Sequence, residues 1–150
     1  MSRPSVWTIG YERATVAGVI DALSSAGVEV LADVRALPLS RRPGFSKTAL
    51  AGALVEAGIE YRHFKALGTP ADGRAAARAG RHAELERIYA GQLELPEALA
   101  AGAQLAVLAA AKRVVLLCYE REAQVCHRTL LREAMLPEFD AIDLVPGDAG

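Results

Sequence analysis

The feature that most constrains the fold is VVLLCY, the run from Val114 to Tyr119, which is apolar throughout and shows no alternation with polar residues. A strand that turns one face to water alternates apolar and polar residues. Parallel strands covered on both faces by helices instead form near-continuous apolar runs. The run therefore predicts a central strand of a parallel sheet with helices on both faces.

Strand and helix patterns alternate along the rest of the chain. Short β-branched or aromatic runs predict further strands at Ser5–Gly10, within Val28–Leu37, at Ile59–Phe64 and at Ala141–Val145. Helical spacing predicts helices from a Thr15 cap to Gly27, from a Ser46 cap to Gly58, at Glu84–Gln92, at Pro96–Ala111 and at about Cys126–Met135. Prolines and glycines predict a loop at Pro38–Ser46 and a flexible connection at Leu67–Gly73.

These patterns together predict an α/β fold, since strands that alternate with helices are typical of layered domains with a mostly parallel sheet. We expect a single domain over residues 1–150, with about five strands, helices on both faces and a frayed tail at residues 144–150. A chain of this length fits one hydrophobic core.

Composition excludes several classes of protein. Hydrophobic residues make up 52% of the chain and charged residues 23%, which is typical of a folded protein rather than a disordered one. The formal net charge of -1 argues against a surface that coats nucleic acid, although a local basic patch remains compatible with it. The absence of a signal peptide pattern or a long apolar window predicts a cytoplasmic protein with no membrane partner.

The carboxyl ends of the predicted strands carry a group of polar or unusual residues. In open parallel sheets, ligands bind in a crevice outside these strand ends. The residues expected to support such a crevice are Gly10, Tyr11, Asp33 and His63. The alternative is that strand ends are simply the places where polar residues are tolerated.

The segment LLCYEREAQVCHR, Leu116 to Arg128, carries the residues best suited to chemistry. A thiol near a helix amino terminus and beside arginines has a lowered pKa and reacts more readily. The candidate catalytic residues are Cys118, Glu120, Cys126 and His127, with Arg128 as a nearby anion contact. The alternative is that the cysteines and His127 are buried core residues.

The loop from Asp33 to Lys47 predicts an anion site. Basic side chains crowd a segment that leads into a helix start, where backbone amides favour negative charge. The candidate anion-binding residues there are Arg35, Ser40, Arg41 and Arg42. The alternative is that Arg35 pairs with Asp33 or Glu12. No metal site is expected, because the spacing between the cysteines is unusual for zinc.

Four motifs in this order, TIGYER, LADVRALPLSRRPGFSK, GIEYRHFKALG and LLCYEREAQVCHR, resemble the domain of unknown function 488 family from about Val6 to Leu144. The resemblance implies an α/β domain whose family motifs include Thr8, Gly10, Tyr11, Asp33, Arg35, Pro38, Ser40, Phe45, Tyr61, Leu67, Gly68, Cys118, Glu120, Cys126, His127 and Arg128. Tyr11 and Glu12 stand where many relatives carry serine or threonine and a small polar residue. The resemblance supplies a site and no reaction or cofactor.

Four hypotheses about function remain open at this point. The first is an enzyme or enzyme-like domain whose crevice binds phosphate on a nucleotide or nucleic acid, with Cys/Glu/His/Arg chemistry. The second is a nucleotide-binding or nucleic-acid-binding module without catalysis, and the third is a redox sensor that uses Cys118 and Cys126. The fourth is a scaffold in which buried ion pairs only hold the strand ends together.

Overall fold

A computed structural model of the chain describes residues 3–119 and 127–147. The strands in these ranges are β1 (Ser5–Gly10), β2 (Val30–Asp33), β3 (Glu60–His63), β4 (Val114–Cys118) and β5 (Asp140–Leu144). The helices are α1 (Val16–Ser25), α2 (Lys47–Glu56), α3 (Ala71–Arg78), α4 (His82–Leu93), α5 (Pro96–Ala111) and α6 (His127–Met135), with a 3-10 turn at Lys65–Leu67.

The five strands form one parallel sheet in the order β3-β2-β4-β1-β5. All residues of the central strand β4 are buried, as its apolar sequence predicts. Its side chains alternate between two separate cores, with Val114 and Leu116 in one and Val115 and Leu117 in the other. The predicted α/β fold is therefore confirmed.

Helices cover both faces of the sheet. Helices α1 and α2 pack on one face through Leu23 and Leu54, in the core that holds Val115. Helices α4, α5 and α6 pack on the opposite face through residues such as Tyr89 and Leu105. Each face is closed by aliphatic side chains removed from water, which is the main stabilising contribution in such a fold.

The helix starts follow local capping rules only in part. Thr15 caps α1 as predicted, since the Gly18 amide donates to its Oγ1 at 3.0 Å. Ser46 precedes α2 but makes no capping hydrogen bond, because its Oγ accepts instead from the Ser40 amide at 3.0 Å. Ser46 therefore stabilises the loop before α2 rather than the helix end.

The predicted flexible connection at Leu67–Gly73 is wrong at both ends, since only residues 68–70 lie outside a helix or a 3-10 turn. Leu67 ends the 3-10 turn, and helix α3 begins at Ala71. Pro70 occupies the N-cap of α3 with extended backbone, and Asp72 lies in its first turn, where the helix dipole favours an acidic residue. The glycine and proline that suggested a loop are thus part of a helix start.

The order of the strands opens a crevice between β2 and β4. From β2 the chain continues to β3 at one edge of the sheet, and from β4 it continues to β5 at the other edge. In open parallel sheets, ligands bind beside carboxyl ends where the chain departs in opposite directions. The ends of β2 and β4 are Asp33 and Cys118.

None of the helices in residues 3–119 and 127–147 is, by itself, sufficiently long and apolar to cross a membrane. Helices α4 and α5 reach the required length and composition only when taken together, and they are bent by 86° relative to each other.

We expect Gly68→Ala to destabilise the protein, because an added Cβ would lie 2.2 Å from the backbone nitrogen of Ala36. The backbone of Gly68 has φ of -81°, which any residue adopts, so the effect is steric alone. The expected loss is about 1–3 kcal/mol of unfolding free energy, measured by urea denaturation. The control is Gly52→Ala in α2, where nothing lies within 4 Å and a small gain in stability is expected. Equal stabilities of the two variants would contradict this account.

Candidate functional site

A cavity of about 430 Å³ opens at the carboxyl ends of β2 and β4. Its walls come from the loops after β1, β2 and β4, from the segment that leads into α3, and from α3, α4 and α6. The lining residues are Tyr11, Arg35, Ala36, Leu37, Leu39, Ser40, Arg41, Thr69, Arg74, Ala77, Arg78, Leu85, Cys118, Tyr119 and His127. The cavity thus lies where the strand order opens the sheet.

The structure brings about half of the predicted site residues to this cavity. Those that line it are Tyr11, Arg35, Ser40, Arg41, Cys118 and His127. Those that lie elsewhere among the described residues are Gly10, Asp33, Arg42, His63 and Arg128. Glu120 and Cys126 lie outside the described residues.

A buried ion pair joins Arg35, which lines the cavity, to Asp33, which does not. Arg35 donates from Nε to Asp33 Oδ1 at 2.8 Å and from Nη2 to Oδ2 at 2.7 Å. The Arg35 amide also donates to Asp33 Oδ1 at 3.1 Å. Asp33 is 0% exposed and Arg35 6% exposed, so neither charge is solvated well by water. Such a two-point contact fixes the plane of the guanidinium as well as its position.

The same guanidinium is held on its other side. Its Nη1 donates to the Phe45 carbonyl at 2.7 Å and to the Tyr11 hydroxyl at 3.2 Å. Burial would lower the pKa of Arg35, but the hydrogen bond and the charge of Asp33 outweigh it and raise that pKa. Arg35 therefore stays charged, and most of its donors are already engaged within the protein. This is the pairing with Asp33 that the sequence left open as an alternative to anion binding.

Three further contacts fix the segment that follows β2. Tyr61 donates from its hydroxyl to Asp33 Oδ2 at 2.5 Å, and burial together with Asp33 raises the pKa of Tyr61, so it remains a donor. His127 Nε2 lies 2.9 Å from the Val34 carbonyl, and His63 Nε2 lies 2.8 Å from the Arg35 carbonyl. His63 therefore contacts the backbone beneath the cavity rather than its interior.

Arg42 has a similar structural contact. It donates from Nε to the Ala14 carbonyl at 3.1 Å and makes a second hydrogen bond to the same oxygen through Nη2. This joins the loop after β2 to the residue just before the α1 cap. Arg128 lies at the start of α6 and is 1% exposed.

Sequence reasoning missed two arginines that line the cavity, Arg74 and Arg78 on α3. Arg74 is partly buried and donates to the Thr69 carbonyl at 2.8 Å, while Arg78 is exposed. Residues four apart on a helix share a face. The four-residue spacing of the two arginines in RAAAR was the available signal. It indicates a shared face only if the segment is helical, and the helix was not predicted.

The lining of the cavity is strongly basic. Four arginines line it, namely Arg35, Arg41, Arg74 and Arg78, while no aspartate or glutamate within residues 3–119 and 127–147 does so. Arg41 and Arg78 are exposed, so their charges are directed at a space that water and small ions can enter. Clefts lined by one sign of charge concentrate ligands of the opposite sign. Among the described residues, the lining therefore carries an excess of positive charge.

His127 is a buried, uncharged histidine at the cavity wall. Burial lowers the pKa of His127 to about 4, and the contact with the Val34 carbonyl only partly opposes this shift. Since the neutral ring faces a carbonyl oxygen through Nε2, that nitrogen carries the proton and donates. The ring also packs edge-on against Tyr89, with centroids 5.3 Å apart. His127 is thus both a core residue and part of the cavity lining.

Cys118 lines the cavity in an oxidised form. It is disulfide-bonded and 1% exposed, and the second cysteine of the chain, Cys126, lies outside the described residues. A sulfur in a disulfide is not a thiolate and does not act as a nucleophile. The thiol chemistry considered from the sequence would require prior reduction of this bond.

Within residues 3–119 and 127–147, no group of three or more histidine, cysteine, aspartate or glutamate side chains is placed to hold a metal ion. The chemistry open to the cavity, as far as these residues define it, is that of arginines, hydroxyl groups, a neutral imidazole and apolar surface.

Comparison with known proteins gives one match. The model of a family described as Domain of unknown function DUF488 matches residues 15–135. Searches of curated proteins and of solved structures give no significant match. The matched range contains every described residue that lines the cavity except Tyr11.

We expect Asp33→Asn to lower the free energy of unfolding by about 3–5 kcal/mol, because it leaves the buried Arg35 charge uncompensated. Urea denaturation measures the change. The control is Asp140→Asn, which breaks an ion pair with Arg3 whose side chains are 60% and 53% exposed. Exposed pairs contribute less than about 1 kcal/mol. Similar losses in both variants would show that the buried pair is not a special constraint.

The buried state of His127 predicts that stability falls on acidification. The pKa of His127 is about 4 in the folded protein against 6.5 for the exposed side chain. Between these values the unfolded chain binds the additional proton, so unfolding becomes more favourable as pH falls from 6.5 towards 4. The contribution of this residue across that window is about 3 kcal/mol. The free energy of unfolding, measured by urea denaturation at several pH values, should depend less steeply on pH for His127→Gln than for the exposed control His82→Gln. Identical pH dependences of the two variants would contradict the assignment.

Proposed function

This chain belongs to the family described as Domain of unknown function DUF488, and from that premise we propose that it binds a small phosphate-bearing anion in the cavity beside β2 and β4. The observation that carries the proposal is the composition of the lining, which has four arginines and, among the described residues, no carboxylate. Guanidinium groups match phosphate in geometry as well as in charge.

The arginines divide into two roles in this proposal. Arg35 is neutralised by Asp33, and it supplies a fixed base for the cavity rather than the main anion contact. Arg41, Arg74 and Arg78 contact the ligand, since they line the cavity from two sides, the loop after β2 and the helix α3. A phosphate between these walls would receive hydrogen bonds from the loop and from the helix at once.

The convergence of the arginines on one cavity also favours a small ligand over an extended strand of nucleic acid. The basic residues converge on a cavity of about 430 Å³, and pockets for small ligands occupy roughly 300–1,000 Å³. Binding along a strand uses a long basic groove with several exposed aromatic residues. The net charge of -1 provides little attraction at long range for a polyanion.

Catalysis is a second candidate function, favoured by the position of His127 and Cys118 at the cavity wall. A neutral imidazole next to a bound phosphate ester is suited to hydrogen bonding with the reacting group, and a reduced Cys118 would add a nucleophile. The sequence assigned this chemistry to Cys118, Glu120, Cys126 and His127. If the protein is catalytic, His127→Gln would abolish turnover of a bound phosphate ester. The dissociation constant of that ester would stay within a few fold of the wild-type value.

Arg78→Ala tests the proposed anion site. We expect it to weaken binding of ribose 5-phosphate about tenfold, measured by isothermal titration calorimetry, because a hydrogen bond between charged groups is lost. The matched control is Arg87→Ala, which removes an exposed helical arginine that does not line the cavity. Affinity for the wild type should also fall as salt is added. Absence of binding to the wild type, or equal affinities of both variants, would contradict the proposal.

A further inference from the structure

The basic cavity has a second, apolar component at its mouth. Leu37 and Leu39 follow β2, are 53% and 72% exposed, and line the cavity, as does Tyr119, which is 47% exposed. Anion binding needs none of these side chains. Large apolar side chains left in contact with water around a cleft are typical of a surface that a ligand covers.

Tyr119 is held in place by an aromatic group within the fold. Its ring packs edge to face with Tyr11, with centroids 5.4 Å apart. Tyr11 in turn stacks on Phe45 at 4.5 Å, and the Arg35 guanidinium lies 5.3 Å from the Tyr11 ring centre. Backbone hydrogen bonds from Tyr11 and Glu12 to the carbonyls of Cys118 and Tyr119 join the loops after β1 and β4. The exposed part of Tyr119 is therefore a positioned aromatic surface.

The size and chemistry of the cavity require more than a phosphate group. Inorganic phosphate would fill only a small part of about 430 Å³. A sugar would need several polar neutral side chains around it. Within residues 3–119 and 127–147, Ser40 and Thr69 are the only serine or threonine residues that line the cavity. Leucine and tyrosine side chains instead match a flat, weakly polar ring, as in base stacking on aromatic residues.

We infer that the ligand is a mononucleotide, with its phosphate among Arg41, Arg74 and Arg78 and its base against Tyr119, Leu37 and Leu39. This inference rests on the proposed function and adds the class of ligand to it. The arginines account for the charge of such a ligand, and the exposed apolar residues account for its ring. A cavity of this volume is suited to a single nucleotide rather than to a chain of them.

The test compares nucleoside 5′-monophosphates with ribose 5-phosphate by isothermal titration calorimetry, without reductant so that the disulfide of Cys118 is kept. We expect at least one of AMP, GMP, CMP and UMP to bind about tenfold more tightly than ribose 5-phosphate, through stacking of the base. Tyr119→Ala should abolish most of this preference for the nucleotide over ribose 5-phosphate. Tyr119→Phe should keep the preference because the ring remains. Leu39→Ser should reduce the ratio, whereas Leu99→Ser, an exposed leucine on α5, should not.

The outcomes separate the two proposals. If ribose 5-phosphate binds as tightly as every nucleotide, or if Tyr119→Ala weakens all probes alike, the mononucleotide inference is wrong while anion binding stands. If a 5′-phosphorylated tetranucleotide binds more tightly than any monophosphate, the occupant is a strand end and the inference is likewise wrong. If no phosphate-bearing probe binds, the proposed function itself fails.

Discussion

The buried ion pair between Asp33 and Arg35 is the constraint on which the arrangement of the site depends. Two charges removed from water are tolerated only when each meets the other with good geometry and its remaining polar atoms find partners. Here Asp33 also accepts from Tyr61, while Arg35 also donates to Tyr11 and to the Phe45 carbonyl. Satisfying one pair of charges therefore fixes residues from β2, β3, the loop after β1 and the loop before α2.

The segment after β2 is held from several directions as a result. His127 contacts the carbonyl of Val34, and His63 contacts that of Arg35. Because Gly68 has no Cβ, its backbone lies close to Ala36. The cavity is formed above this fixed segment, with arginine side chains on one part of its wall and apolar residues at its mouth. Preorganised surroundings lower the cost of ordering that a ligand would otherwise incur.

Much of the fold could be predicted because the governing signals are local. The apolar run of β4 indicated a parallel strand covered on both faces, and Thr15 indicated the start of α1. Helix α3 was missed, because a glycine and a proline before it suggested a loop. The site was predicted in part because its signals are local too. The residues predicted correctly lie at the end of a strand, in a loop after a strand or at a helix start, namely Tyr11, Arg35, Ser40, Arg41, Cys118 and His127. Arg74 and Arg78 belong to the missed helix. The family resemblance is confirmed over residues 15–135.

The sequence by itself determined the alternation of strands and helices, the burial of the central strand and the edge of the sheet at which polar residues collect, because these depend on periodicity and on neighbouring residues. Only the tertiary structure decided what the arginines do. Arg35 contacts Tyr11 and Arg42 contacts Ala14, and both partners lie before α1 and β2 in the chain. Arg74 reaches the cavity only when α3 packs beside it. Charged side chains of the same type differ in role according to the groups that the fold brings to them, and several of those groups are distant in the chain.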